Sequence, residues 1–394
     1  MLKFHPLRIV SVEPDGQDAV AIALEVPPQL QAEYRGAPGQ HVVLRALLEG
    51  EELRRTYSLV NTPGEWPLRI VARVHEHGRM SRHLAEQAHA GNVIDVLPPN
   101  GSLTPRCLGT SAATEAREFA GFASGCGITP VIAIARALLA AQPRHRFILF
   151  YGNTSTERAM CLEELLALKD RYLERLALHF VMSREPQEVE LYNGRLDGER
   201  VKQFATTLFD PAQIAEYFVC GPGDMIERIG AALRELHVPS ERIHGEHFRV
   251  AASDTPGSPE EDMAARASPG TASPVQLGEP KMPSLRPATQ TPKVAPPASA
   301  DMAEVTVQMD GRRRTFSMHR NGESVLDAAA RAGLDLPFSC RAGVCSTCRT
   351  KVISGEVAMA QNYALEDWEL EQGYILACQA SVKTPTLELD YDEK

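Results

Sequence analysis

Residues 340–348 read CRAGVCSTC. Three of the chain's eight cysteines fall in this stretch, and a fourth, Cys378, follows Cys348 after 29 intervening residues in GYILACQA. The candidate ligands Cys340, Cys345, Cys348 and Cys378 thus have the spacing C-x4-C-x2-C…C. That is the plant-type 2Fe–2S spacing, in which four thiolates hold the cluster and backbone N–H groups gather around the sulfurs. Gly343, between the first two cysteines, lets a loop curl around the irons without a Cβ clash. Structural zinc is the competing reading, but zinc usually takes paired C-x2-C units, and only one x2 pair stands here. A disulfide frame would need an oxidising compartment.

The flanking sequence agrees with the cluster. AEVTVQMDGRRRTFSMH reads as a hairpin, and ESVLDAAARAG as a helix leading into PFSCRAGVCSTCRTKVISGEV. Residues 302–394 resemble the plant-type ferredoxins, and the resemblance implies a β-grasp fold around a one-electron carrier. Upstream, residues 251–300 contain ten Pro, ten Ala and no aromatic residue. Such a segment buries too little apolar surface to offset its ordering entropy, so 251–301 is expected to be a disordered Pro/Ala-rich linker.

At 394 residues the chain is too long for one ordinary core, which predicts two or three domains. The formal charge of −10 disfavours nucleic acid as a partner. No apolar run approaches the roughly 18 residues of a membrane span. The opening MLKFHPLRIVSVEPDG alternates like a strand rather than a signal peptide. A cytoplasmic location is expected, where clustered cysteines bind metal or do redox chemistry.

Residues 1–108 read as short strands, LRIVSVEP, AVAIALEVP, HVVLRALL, LRRTYSLV and PLRIVARV, with one helix at SRHLAEQAHAG. That pattern predicts a small antiparallel barrel. Over 115–250 the strands EFAGFAS, RFILFYGN, LALHFVMS and EYFVCGP alternate with helices PVIAIARALLAA, AMCLEELLALKDRY and GDMIERIGAALREL. This is the rhythm of a doubly wound parallel sheet. The expected fold is therefore multidomain: flavin-binding antiparallel barrel, nucleotide-binding α/β domain, linker and β-grasp ferredoxin.

Three motifs carry chemistry in the front half. RTYS (Arg55–Ser58) offers an Arg for a pyrophosphate and a Tyr for a flat ring, and GRMS (Gly78–Ser81) opens a helix whose N–H groups suit phosphate. GFASGCGITP (121–130) places Gly125 and Gly127 between a strand and a helix, where backbone can approach a diphosphate, with Pro130 in the first turn. CGPGDM (220–225) follows the last strong strand. Taken singly, an ordinary strand, an ordinary cap and a buried apolar cysteine would explain them.

In combination these motifs resemble the ferredoxin–NADP reductase superfamily over residues 1 to about 250. With the ferredoxin last, the order is similar to that of reductase components of multicomponent oxygenases. PGQHVVL, GEELRRTYS, NGRLDGER and MAQNYALEDWELEQGYILACQA are the most similar pieces. By position the resemblance implies that Arg55 meets the flavin phosphates with Thr56 beside it, and that Tyr57 and Ser58 contact the isoalloxazine. It further implies that Arg73 and Gly78, Arg79, Met80 and Ser81 serve the flavin nucleotide. Gly125, Cys126, Gly127, Thr129 and Pro130 would stand where flavin and nicotinamide meet. Cys220, Gly221 and Pro222 would border the nicotinamide, and Glu246 and Phe248 would close over the flavin. Tyr57, Ser58, Cys220 and Glu246 are the implied catalytic set.

The family mostly uses FAD, and some relatives with this domain order use FMN. In MSREP, Ser183 and Arg184 follow a sheet strand where an adenosine ribose would lie, and an Arg there suits a 2′-phosphate, which favours NADPH over NADH. Thr154 in YGNTST stands where many relatives have an Arg. Hydride moves two electrons and a 2Fe–2S cluster accepts one, so a flavin has to lie between them. The expected order is NAD(P)H, flavin, cluster, then a terminal oxygenase or hydroxylase: an acyl-CoA, steroid or ring hydroxylase, or a desaturase. The acidic stretches LEDWELEQ and LELDYDEK are either docking residues or a solvated surface. Two other readings have less support. Glu86–His89 and Glu241–His244 have the di-iron E-x-x-H spacing, but no four-helix bundle is visible. A flavin/cluster sensor would need an output domain.

Overall fold

The computed structural model describes residues 3–108, 115–247, 301–320, 322–365 and 367–393. Phe248 and nearly all of the expected linker lie outside the described residues.

The first unit is a six-stranded antiparallel sheet of β1 (His5–Pro14), β2 (Ala19–Glu25), β3 (His41–Leu48), β4 (Glu51–Ser58), β5 (Leu68–Arg73) and β6 (Val93–Asn100), in the order β4-β3-β6-β1-β2-β5. A bridge between Leu59 and Ile70 joins its two edges. Alternation sends Leu7, Ile9, Ile22, Leu24, Val42, Leu44, Ile70 and Val96 into one core. Helix α1 (Gln31–Tyr34) buries Tyr34, whose hydroxyl donates to the Val96 carbonyl at 2.6 Å. Helix α2 (Arg79–Glu86) starts directly after Gly78, where GRMS is expected to open it. Strand β6 is not expected from the sequence, because Pro98 and Pro99 argue against an interior strand. Its pairing with β3 slips between His41 and Val43, so both prolines fall in the slip.

The second unit is a parallel sheet of β7 (Glu118–Ser124), β8 (Arg146–Asn153), β9 (Leu176–Met182), β10 (Ile214–Gly221) and β11 (Ile243–His247), in the order β11-β10-β7-β8-β9. Helices α3 (Ile128–Ala141), α4 (Leu162–Arg171), α5 (Gly198–Ala205) and α6 (Gly223–Glu235) connect them. Strand β7 is central, with successive connections leaving it in opposite directions. The switch point therefore lies between the carboxyl ends of β7 and β10, where such sheets bind ligands. Helix α5 is likewise not evident in the sequence pattern. Asp197 caps it by accepting from the Arg200 N–H, and Gly198 packs against the Arg228 carbonyl of α6. Ser240–Arg242 form a 3-10 turn leading into β11, and α2 ends before His89, so neither E-x-x-H pair lies on a bundle helix.

The third unit pairs β12 (Met302–Met309), β13 (Arg312–His319), β14 (Arg349–Ser354), β16 (Tyr374–Leu376) and β18 (Thr386–Asp390) in the order β13-β12-β18-β14-β16. Helix α7 (Val325–Arg331) packs beneath, β15 (Val357–Met359) pairs with β17 (Ala380–Val382), and α8 (Asp367–Glu371) precedes β16. The parallel central pair β12–β18 beside a packed helix is the β-grasp arrangement.

Barrel and parallel sheet are joined by buried polar contacts. Asp15 accepts the Cys161 N–H, and Glu164 receives both Arg69 and Arg136. Glu216, on β10, accepts the N–H groups of Arg106 and Cys107 at 2.9 and 3.3 Å and pairs with His244 at 3.1 Å. Burial raises the Glu216 pKa, but the His244 and backbone hydrogen bonds outweigh it and leave it below the ordinary 4.5. A depressed folded-state value gives stability that is present above the ordinary carboxylate range and lost as pH falls through the folded value. Glu216→Gln is expected to cost about 1–3 kcal/mol at neutral pH and to flatten the acid limb of a Tm-versus-pH curve. An unchanged curve would remove Glu216 from the account.

Candidate active site and metal centre

The cysteine loop is shaped by its backbone. Arg341, Gly343 and Ser346 have positive φ (54°, 75° and 46°), which turns successive N–H groups inward. A Cβ on Gly343 would stand 3.0 Å from the Gln361 carbonyl oxygen, so only glycine fits without a shift. Ala342 donates its N–H to Cys340 Sγ at 3.4 Å, and the Gly343 N–H serves Cys378. The four thiols form two hydrogen-bonded pairs, Cys340 with Cys345 and Cys348 with Cys378. Cys340 is pushed down to about 6, first by the Cys345 S–H and, against the opposing effect of burial, by the backbone N–H groups of Ala342, Val344 and Cys345. Two pairs of thiols fit two irons.

The second site is the cleft between barrel and parallel sheet. At the switch point, Gly125 takes φ 54°, and a Cβ on Gly127 would fall 2.0 Å from the Cys220 carbonyl oxygen. The SGCGITP loop and the end of β10 therefore touch backbone to backbone. Thr129 Oγ1 donates to the Cys126 carbonyl at 3.0 Å, and Pro130 is buried in the first turn of α3. Glu246 sits opposite Cys220 in the β10–β11 register. Burial first, then the Glu246 carboxylate and Cys126, push the Cys220 thiol well up, so it stays protonated.

Facing this from the barrel is the outward side of β3 and β4. Leu53 joins the barrel core and Tyr57 packs against it, so Arg54, Thr56 and Ser58 occupy the opposite face. Their cross-strand partners are Arg45, Val43 and His41. The side-chain atoms Ser58 Oγ, His41 Nε2, Asn100 Oδ1 and Glu246 Oε2 are all buried without a protein partner. Asn100, Ser58 and Glu246 all meet His41, the first two by strand register and Glu246 by a 3.1 Å contact. The orphaned atoms of Ser58, Asn100 and Glu246, gathered on one face beside a backbone made bare by glycine, fit the edge of a polar planar ring.

The same face of β4 also holds the cysteine domain. The Arg54 guanidinium lies 4.1 Å above the Phe338 ring and 5.1 Å from Phe4, with Nη2 3.3 Å from Asp335 and Nε donating to Glu52 at 2.8 Å. Thr56 Oγ1 and Ser339 Oγ are 3.0 Å apart, and Ser339 precedes the candidate ligand Cys340. Ser58, two residues on from Thr56, is about 7 Å further along the strand. One strand thus touches both the cleft and the loop that carries the cluster ligands.

The other expected residues spread around the cleft. Gly78 caps α2, and Ser81 Oγ accepts from the His75 N–H and donates to the Gly78 carbonyl, closing the turn that would cradle phosphate. Met80 is buried under it. Arg55 donates to the Arg54 carbonyl, and Arg79 pairs with Glu51 at 2.6 Å. Arg73 is tied to Asp18 and the Arg158 carbonyl across the domain boundary. Gly221 and Pro222 lead from β10 into α6. Ser183 and Arg184 are exposed at the carboxyl end of β9, their N–H groups bonded to Asn153 and Thr154. Sequence reasoning missed His41, Arg54, Asn100, Phe338 and Ser339. Strand parity could have placed His41 and Arg54 on the RTYS face, but no local signal names their partners.

Three family models match the chain. Residues 7–104 match an oxidoreductase FAD-binding domain, 122–230 an oxidoreductase NAD-binding domain and 307–383 a 2Fe-2S iron-sulfur cluster binding domain. The protein is an NAD(P)H-dependent oxidoreductase carrying FAD and a 2Fe–2S cluster. It belongs to the ferredoxin–NADP reductase superfamily, in the branch with a C-terminal plant-type ferredoxin domain. It is 36% identical to a component of the 1,2-phenylacetyl-CoA epoxidase of Escherichia coli K12, covering 100% of this chain and 99% of that protein. It is 29% identical to the ferredoxin reductase component of 3-ketosteroid-9-alpha-monooxygenase from Rhodococcus rhodochrous, over 98% and 96%. Phthalate dioxygenase reductase shares the fold across 98% of both chains, with a TM-score of 0.54 and 22% identity.

Proposed function

We propose that this chain is the reductase component of a phenylacetyl-CoA epoxidase-type monooxygenase, passing electrons from NADPH to the oxygenase component. The supporting observation is the double use of β4: Thr56 meets the cluster loop while Ser58, two residues on, lines the cleft with Cys220 and Glu246. Full-length likeness to the epoxidase component supports this choice of client. Bound FAD supplies the conversion of a two-electron hydride into single electrons. In the cleft, Ser58 and Glu246 would orient the ring edge, Cys220 would exclude water from the nicotinamide face, and the Gly78–Ser81 turn would hold phosphate. Cys340, Cys345, Cys348 and Cys378 hold the cluster, whose potential near about −400 mV suits an oxygen-activating acceptor. A cytoplasmic location, where thiols stay reduced, belongs to the same proposal. No helix among the described residues is long and apolar enough to cross a membrane.

The deciding experiment mixes the reductase with purified epoxidase oxygenase and follows NADPH consumption with phenylacetyl-CoA. Coupled turnover supports the assignment; tighter coupling to a steroid or ring hydroxylase, or to a desaturase, would replace the client and keep the electron chain. For the nucleotide, Arg184→Gln is expected to raise the KM for NADPH at least tenfold and that for NADH less than twofold. Equal changes would remove Arg184 from 2′-phosphate recognition. The acidic docking face is smaller than the sequence suggests. Glu369 is buried against Arg349, Asp392 accepts the Asp310 and Gly311 N–H groups, and Glu393 pairs with Lys351. Trp368, 42% exposed, remains on that surface.

A further inference from the structure

His41 is 1% exposed, yet it belongs to neither hydrophobic core. It stands on the outward face of β3, directly opposite Ser58 and also in register with Asn100. From there it reaches across the domain boundary, and its Nδ1 lies 3.1 Å from Glu246 Oε1 on β11. The ring is held in place. Gly101 has φ 119°, and a Cβ there would stand 3.0 Å from Nδ1 and 3.1 Å from Cε1, so glycine leaves room for the ring and nothing larger does. Gln40, next to His41, donates to the Gly101 carbonyl at 3.2 Å and fixes that turn. Glu246 is 12% exposed and its second oxygen, Oε2, is buried without a protein partner, as is His41 Nε2. A carboxylate on an edge strand has several rotamers open to it. One oxygen anchored on an immobile imidazole leaves the other with a defined direction.

We propose that His41 is a positioning residue for Glu246: through Nδ1 it pins the carboxylate across the domain boundary, so that the free oxygen is presented to the space shared by Ser58 and Cys220. The proposal rests on the reading of this cleft as the flavin–nicotinamide junction. His41 acts through Glu246, so its removal changes turnover and not the binding of the flavin or of the pyridine nucleotide. The pair also couples the two domains, since Glu246 belongs to the parallel sheet and His41 to the barrel.

The test uses the full-length holoprotein and four variants: His41→Phe, His41→Gln, Glu246→Ala and His41→Phe/Glu246→Ala. Readouts are FAD Kd by fluorescence, flavin midpoint potential, and the pH profile of NADPH turnover with ferricyanide. His41→Phe is expected to lower kcat at least tenfold with KM and FAD Kd changed less than twofold, and to shift the pH profile. His41→Gln, whose amide N–H still donates to the carboxylate, is expected to recover most of the loss. On the Glu246→Ala background, His41→Phe should have no further effect. Additive losses, no rescue by His41→Gln, or a tenfold weaker FAD Kd in His41→Phe would each overturn the proposal. Failure of the wild-type protein to bind flavin or respond to NADPH would instead overturn the reading of the cleft.

Discussion

Cys348→Ser is expected to yield a protein that NADPH still bleaches in its flavin band but that delivers no electrons to its oxygenase. The serine oxygen is a poor ligand for an iron that takes thiolate, and Cys348 is paired with Cys378, so one iron loses half of its protein ligation. Cluster content by iron analysis should fall below a tenth of wild type, and turnover with the oxygenase should fall at least a hundredfold. Ferricyanide reduction, which can draw directly on the flavin, should change less than twofold because the cleft is untouched. The same substitution at Cys107 or Cys161, buried packing residues of the front half, should leave cluster content unchanged. Retained coupled turnover in Cys348→Ser would overturn the assignment of the fourfold ligand set. Simultaneous loss of ferricyanide reduction would mean that the ferredoxin domain is needed to fold the flavin domain.

Arg54→Glu is the second large effect. The guanidinium is 7% exposed and is shared by Phe338, Asp335, Glu52 and Phe4. A cation over an aromatic ring contributes about 1–2 kcal/mol when desolvated, and a carboxylate in its place would face Asp335 and Glu52. The docked population of the ferredoxin domain should fall at least tenfold. In stopped flow, NADPH should reduce the flavin at the wild-type rate while cluster reduction slows by tenfold or more and becomes dependent on ionic strength. Adding Asp335→Arg should restore part of the rate through the reversed pair. An unchanged cluster rate would show that this contact does not lie on the electron path.

The parts of this protein that are legible in sequence are those whose information is local. The proposed cluster ligands are visible because three lie within one loop. The β7–α3 turn is marked by glycines that nothing else can replace, as the Gly127 approach to Cys220 shows. The contacts that make the site work are long-range. His41 meets Glu246 across 205 residues, and Thr56 meets Ser339 across 283 with a featureless Pro/Ala segment between. A linker of that composition carries no information about where the next domain rests. Strand β6 is hidden for a different reason: its prolines read as a break, and only the slipped pairing with β3 accommodates them.

The two-residue period of β4 makes the electron path unusually sensitive to chain length and unusually tolerant of module exchange. One residue inserted between Leu53 and Arg54 would turn the Arg54 guanidinium into the barrel interior and Tyr57 outward, severing both connections at once. Grafting another ferredoxin onto this reductase, by contrast, asks first for a match at the side chains of residues 54 and 56.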